Sequence, residues 1–214
     1  MNFDRYVRWI KPFVFLLCLA PMGRLGWKAW NHVLGANPIQ EITFSTGTWT
    51  LVFLCITLSV TPLRQILHQP WLIRFRRMFG LFAFFHACLH FTTYLWLDKF
   101  FDVHEIVKDV YKRPFITAGF TAFVALIPLA CTSTKGMIRR LGGKRWQMLH
   151  RLVYVSATAG VVHYYWLVKS DVRVPVRYGV IVALLLGYRL LKSLLSRSGG
   201  TPAVDREARP SEAL

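Results

Sequence analysis

Seven histidines lie along the 214-residue chain, and four of them, His86, His90, His150 and His163, fall inside long apolar runs. Ionisable side chains are costly in such surroundings, so they are functional candidates by default. His86 and His90 are i,i+4 and share one helix face about 6 Å apart in height. His150 and His163 are thirteen positions apart, which on one ideal helix sets them about 140° from a common face. Either that helix bends or its two histidines address different neighbours. Neutral imidazoles projecting from two helices can clamp a metal cofactor between them. A b-type haem needs that arrangement: one or two axial imidazoles and an apolar slot for the macrocycle. Leu81-Phe82-Ala83-Phe84-Phe85 precedes the first pair, with Ala87 and Cys88 inside it, and Ser156-Ala157-Thr158-Ala159-Gly160 lies within the second. Both stretches offer small residues beside bulky apolar ones. Interhelical hydrogen bonding or a proton pathway would also use histidine, but four on two helices favour haem. His32, His68 and His104 fall in expected connecting segments and read as solvated.

Depth along the helices bears on how the histidines pair. With the third run taken from Phe79 and the fifth from Trp146, His86 and His150 differ in height by about 5 Å, and His90 and His163 by about 9 Å. One haem, or two with one near each face, fits this arithmetic. Other redox chemistry finds no motif. There is no C-x-x-C pair, and Cys18, Cys55, Cys88 and Cys131 sit one per apolar run as packing residues. No G-x-G-x-x-G fingerprint is present, so electrons would have to come from a separate donor.

Six runs must carry these residues, each near the length of about 20 residues that crosses a bilayer. They lie near Trp9–Gly23, broken by Pro21 and extending toward Trp30; Phe44–Leu63, closing at Thr61-Pro62; Phe79–Leu97; Phe115–Cys131, opened by Pro114; Trp146–Val168; and Val174–Leu191. With 54% hydrophobic and only 17% charged residues, the chain lacks the charge to cover a soluble surface. The expected fold is therefore an all-α integral membrane protein, a six-helix bundle over residues 1–195. The polar stretch from Ser196 to residue 214 reads as a disordered cytoplasmic tail. The net charge of +17 is unevenly placed. With six spans, 18 of the 27 Lys and Arg fall on the side that holds both termini, which puts that side in the cytoplasm. The clusters around Arg74, Arg76 and Arg77 and around Arg139, Arg140, Lys144 and Arg145 set this topology and contact anionic lipid. Arg77 and Arg145 are also candidates to hold an anionic cofactor group. Trp9, Trp27, Trp30, Trp71, Trp96 and Trp146 stand near span ends as interfacial anchors. Asp98, Asp102, Glu105 and Asp109 make one outer loop acidic; it reads as a solvated loop, with partner docking as the alternative.

Three stretches carry a resemblance: "TPLRQILHQPWLIRFRRMFGLFAFFHACLHFTTY", "RPFITAGF" through "PLACTST", and "LGGKRWQMLHRLVYVSATAGVVHYYW". With "LGANP…TGTW" near the first loop, the chain resembles, over roughly residues 10–195, the haem-binding membrane subunits of bacterial protein-methionine-sulfoxide reductase systems. These form part of the ferric-reductase-like transmembrane family. The resemblance implies haem ligation by His90, His150 and His163, while His86 departs from the pattern, as a bystander or a second ligand. Together with depth it gives the expectation that His90 and His163 ligate one haem toward the outer half of the membrane, with His150 serving a site nearer the cytoplasm, or pairing with His90 if only one haem is present. It also implies an FMN and a multi-pass inner-membrane location. It implies electron relay from the quinone pool or a cytoplasmic flavin reductase to a periplasmic molybdopterin subunit that reduces methionine sulfoxide. The chain itself would be an electron-transfer subunit, not the catalytic reductase. The alternatives are a ferric-reductase-like carrier with another acceptor, and a non-redox transporter or structural membrane protein.

Overall fold

The apolar runs fold as helices, because a chain in hydrocarbon must satisfy every backbone polar group within its own segment. The computed structural model describes the backbone of residues 3–198 and the side chains of residues 7–196; the expected disordered tail lies, beyond Ser198, outside the described residues. The elements are α1 (Phe3–Trp30), α2 (Pro38–Ile66), α3 (Ile73–Thr93), α4 (Val103–Lys112), α5 (Pro114–Cys131), α6 (Lys135–Leu141), α7 (Gly143–Leu149), α8 (Leu152–Leu167) and α9 (Arg173–Ser198). A π-helical turn, Tyr94–Asp98, continues α3. Side chains cap several starts. Asn37 accepts from the Gln40 amide ahead of α2, Asp102 from Glu105 ahead of α4, and Thr134 from Met137 ahead of α6.

Several expected boundaries move. Pro21 does not break the first helix: α1 runs unbroken through Pro12 and Pro21, as α2 does through Pro62 and α5 through Pro128. Neighbouring helices and local adjustment absorb such prolines in an apolar environment. The expected fifth span is instead two helices, with a turn at His150-Arg151. That break removes the 140° conflict between His150 and His163, since they no longer share one helix. The sixth helix extends to Ser198, past the expected start of the tail.

Among the described residues, five helical segments are long and apolar enough to cross a membrane: Val7–Trp30, Pro38–Ile66, Pro70–Asp98, Pro114–Cys131 and Arg173–Ser196. At 16 residues α8 is about 24 Å long, short of a hydrocarbon core of about 30 Å. Its pairings nonetheless run the length of the bundle. Phe115 faces His163 and Ala122 faces Ser156, so α5 and α8 are antiparallel. Tyr154 meets Arg189 and Tyr164 meets Tyr178, so α8 and α9 are antiparallel. Thr43 meets His90, joining the start of α2 to the end of α3.

Close packing follows the small residues. Ala83 and Ala157 are fully buried, and the buried Ser156 donates its Oγ hydrogen to the Ala122 carbonyl at 2.9 Å, drawing α8 onto α5. Phe53, Leu54, Leu58, Phe82, Leu126 and Leu129 fill the centre. Outward faces stay apolar, with Phe13 and Leu16 on α1 and Leu184 and Leu191 on α9 exposed, as a lipid-facing surface requires. Trp9, Trp27, Trp30 and Trp96 are exposed near helix ends. The four cysteines are free, two of them, Cys18 and Cys55, in the packed interior.

The acidic outer segment is not a solvated loop. It forms the π turn and α4, and Asp109 is only 4% exposed. Lys99 Nζ reaches its Oδ2 at 2.6 Å, Arg113 Nε its Oδ1 at 3.3 Å, and the Tyr94 hydroxyl donates to Oδ2 at 3.4 Å. A buried carboxylate needs such partners, and they fold the segment down over the end of α3.

Candidate functional site

His90 and His163 meet across the bundle. Their ring centres are 6.0 Å apart, His90 from the end of α3 and His163 from the end of α8. This is the expected pair, although depth alone gave His86 and His150 the smaller mismatch. The depths were counted from Phe79 and Trp146, whereas α3 begins at Ile73 and α8 at Leu152.

Each ring is oriented by a backbone carbonyl on a different helix. His90 Nδ1 lies 2.9 Å from the Thr43 carbonyl of α2, and His163 Nδ1 lies 2.6 Å from the Phe115 carbonyl of α5. A carbonyl only accepts, so both Nδ1 atoms must carry the hydrogen. Both Nε2 atoms are then left with a lone pair, the form in which imidazole ligates a metal. A metal ion bound by two imidazole nitrogens at about 2 Å each places the ring centres about 6 Å apart. The observed separation fits.

Two glycines make this approach possible. A Cβ at Gly119 would stand 2.7 Å from His163 Nδ1, and one at Gly47 would stand 3.0 Å from His90 Cε1. Any side chain at Gly119 would collide with the imidazole. Neither glycine was singled out as a site residue from the sequence, although each lies in a stretch that carried the family resemblance.

The two rings line a cavity of about 660 Å³ between α2, α3, α5 and α8. Leu51, Leu54, Ala87, Phe91, Phe123, Leu126 and Gly160 form its apolar walls, while Val110 and Arg113 close the end under α4. This is the size and lining of a cofactor site. Phe91 and Phe123 stack with centres 4.6 Å apart and stiffen one wall.

His86 and His150 stand elsewhere. His86 is 1% exposed, packed against Phe53 and Phe85. Its Nδ1 donates to the Phe82 carbonyl at 3.0 Å, and its buried Nε2 has no partner. His150 stacks on Trp146 with centres 3.8 Å apart and donates Nδ1 to the Trp146 carbonyl at 3.1 Å. Neither belongs to the walls of the His90–His163 cavity. Arg77 and Arg145 are exposed at the opposite end of the bundle.

The sequence family described as "Ferric reductase like transmembrane component" matches residues 43–161, which hold His86, His90 and His150 and end two residues before His163. The chain belongs to this ferric-reductase-like transmembrane family. With its long apolar helices it is a multi-pass membrane protein. Its relatives include a protein named "Protein-methionine-sulfoxide reductase heme-binding subunit MsrQ" from Herminiimonas arsenicoxydans, 60% identical over 191 residues, 88% of each chain. Proteins of the same name from Azospira oryzae and Ralstonia nicotianae are each 52% identical over 186 residues. That match covers 86% of this chain in both cases, and 80% and 86% of those proteins respectively. No solved structure matches this ferric-reductase-like chain.

Proposed function

We propose that this chain is a b-type cytochrome of the bacterial inner membrane, a non-catalytic electron-transfer subunit of a methionine-sulfoxide reductase system. The observation that carries the reading is the His90–His163 pair across an apolar cavity, each Nδ1 held by a carbonyl of another helix. His90 and His163 would hold a haem between them. Haem so held supplies one-electron redox chemistry and little substrate chemistry of its own. The protein's part is to fix the two imidazoles, exclude water with the Phe91–Phe123 wall, and cap the far end with α4. The names of the relatives support haem and a reductase partner.

With α7 and α8 counted together as the fifth of six spans, positive-inside charge puts both termini in the cytoplasm. The cavity then lies in the periplasmic half, and the acceptor is a periplasmic molybdopterin-containing subunit that reduces methionine sulfoxide. The donor is the quinone pool or a cytoplasmic flavin reductase, with FMN as a further cofactor. His150, near the basic end, serves a second haem, with His86 as its candidate partner through the unpartnered Nε2.

The test is an absorption spectrum of the purified chain before and after dithionite, followed by reoxidation with the catalytic subunit and a methionine-sulfoxide substrate. A reduced b-haem band pair that decays only when partner and substrate are both present is expected. A colourless preparation would refute the haem assignment. A haem that the partner cannot reoxidise would refute the electron-transfer role.

A further inference from the structure

The short helix at the cavity's end leaves an apolar strip uncovered. At about 100° per residue, Ile106, Val110, Val103, Val107 and Tyr111 of α4 fall within an arc of about 140°. His104, Glu105, Lys108, Asp109 and Lys112 fill the rest of the turn. The apolar arc is used in two halves. Ile106 and Val110 are half-buried against the bundle, and Val110 lines the cavity of His90 and His163. Val103, Val107 and Tyr111 stand clear of it, 71%, 63% and 86% exposed. Just before them Phe100 and Phe101 are exposed too, and they turn the chain into α4 with φ of 48° and 60°, a conformation that bulky side chains seldom adopt. Trp96 on the π turn is also exposed. Single exposed apolar residues need no explanation, but a run of them on one short segment does.

The place of α4 decides what can cover this strip. It joins two segments of membrane-crossing length, Pro70–Asp98 and Pro114–Cys131, at one end of the bundle. It does not stand away from them into water. The Thr117 hydroxyl, in the first turn of α5, donates to the Val110 carbonyl, and Asp109 is held by Lys99, Tyr94 and Arg113. These ties keep α4 at the level where the spanning helices enter the membrane. Tyr111 also continues a lipid-facing surface. With Pro114, Thr117 and Ala118 of α5 and Val162 and Trp166 of α8, it lines an open groove of about 800 Å³ on the outside of the bundle. The row His104, Lys108 and Lys112 points about 100° away from the row Val103, Val107 and Tyr111. A molecule arriving from water therefore meets the charged row, while the apolar row meets the hydrocarbon that covers α5 and α8. A helix lying in the membrane surface has this composition: its apolar face enters the headgroup and acyl boundary by about 5–10 Å, with lysines on the polar face.

We propose that α4 is a membrane-surface helix, lying in the plane of the bilayer with Val103, Val107 and Tyr111 against phospholipid acyl chains and Lys108 and Lys112 on the water side. Lipid on one flank of α4 then neighbours a cofactor-sized cavity on the other. The proposal needs the membrane location alone and holds whether or not the cavity takes a haem. The test is photo-cross-linking of the full-length protein in phosphatidylcholine nanodiscs. One residue at a time, Tyr111, Val107, Lys108 or Leu184 is replaced by p-benzoyl-phenylalanine, which on irradiation inserts into a C–H bond that it touches. Mass spectrometry then reads the adduct. Leu184, exposed on α9, is the control for lipid contact. The expected result is one added phosphatidylcholine mass at Tyr111 and Val107, as at Leu184, and none at Lys108. Tyr111 is already aromatic and mostly exposed, so its replacement is conservative, and if the Val107 variant does not fold, Tyr111 alone decides. No lipid adduct at Tyr111 while Leu184 gives one overturns the proposal. A lipid adduct at Lys108 equal to that at Tyr111 also overturns it, because α4 would then have no water-facing side. So does a lipid adduct at Tyr111 that gives way to a protein cross-link when the methionine-sulfoxide-reducing subunit is added, because the strip would then be that subunit's docking face.

Discussion

Replacing Gly119 by Ala puts the strongest demand on the His90–His163 arrangement. A Cβ there would lie 2.7 Å from His163 Nδ1, 3.0 Å from Cε1 and 3.1 Å from Cγ, so the whole ring edge must move. The imidazole cannot do so and keep its 2.6 Å hydrogen bond to the Phe115 carbonyl, one turn earlier on the same helix. Overpacking of this kind costs about 1–3 kcal/mol, and the lost hydrogen bond about 1 kcal/mol more. Loss of an orienting partner of a metal-bound histidine typically lowers metal affinity about 10- to 100-fold, or about 1.4–2.8 kcal/mol, within the same range. Gly119→Ala is therefore expected to lose haem at least about tenfold faster to an excess of a haem-scavenging globin, with a lower haem-to-protein ratio as purified. Gly47→Ala, whose Cβ would sit 3.0 Å from His90 Cε1, should show the same defect more mildly. Gly187→Ala on α9 meets nothing within 4 Å and serves as the control. It should leave haem untouched and favour the helix by about 1 kcal/mol. Wild-type haem content and loss rate in Gly119→Ala would refute the assignment of His163.

Three further outcomes are expected. Burial pushes the Asp109 carboxyl up, but the Lys99 hydrogen bond and the charges of Arg113 and Lys99 outweigh it and hold it below its ordinary value. Its folded pKa is thus below its unfolded one, so the stability it lends α4 is complete above about pH 4 and lost as pH falls through the folded value. Amide exchange in α4 should accelerate there, and Asp109→Asn should abolish that acid transition at a cost of about 1–3 kcal/mol; an unaltered transition would mean that another group controls α4. His150→Ala should remove a spectral component distinct from the one that His90 and His163 share, and intact haem content would make His150 a packing residue against Trp146. Of Arg77→Ala and Arg145→Ala, with topology verified, one should lower haem or flavin content, or slow reduction by the cytoplasmic donor, at least about tenfold, about 1.4 kcal/mol. If neither does, these exposed arginines are topological.

The all-helical apolar architecture and the histidine-bearing helices were legible because apolar runs and ionisable residues within them are strong local signals, whereas the six expected runs became nine helices among the described residues, five of them long and apolar enough to cross a membrane. The meeting of His90 and His163 was legible in the family likeness, while the helix depths left it open. The depths turned on where α3 starts, and Arg74-Phe75-Arg76-Arg77 looked like loop because its charges hid a helical beginning at Ile73. The break at His150-Arg151 was foreshadowed by the 140° conflict, but its place was not, since no Gly or Pro marks it. Pro21 misled in the other direction, a breaker in water that a lipid-facing helix tolerates. Gly47 and Gly119 went unnoticed because a glycine in a helix records a close approach by another segment, which spacing along one chain does not reveal. Arg189 was hidden similarly, because its inward turn depends on Leu58 and Tyr154, distant in sequence.

The central claim is that His90 and His163 are the two axial ligands of one haem. Low-temperature electron paramagnetic resonance of the oxidised protein tests it most directly, on the wild type, His90→Ala and His163→Ala at matched protein concentration. The account expects the same low-spin component to disappear in both variants, replaced by a high-spin signal or by loss of that haem. Either variant retaining the full set of wild-type low-spin signals, or the two losing different components, would contradict it.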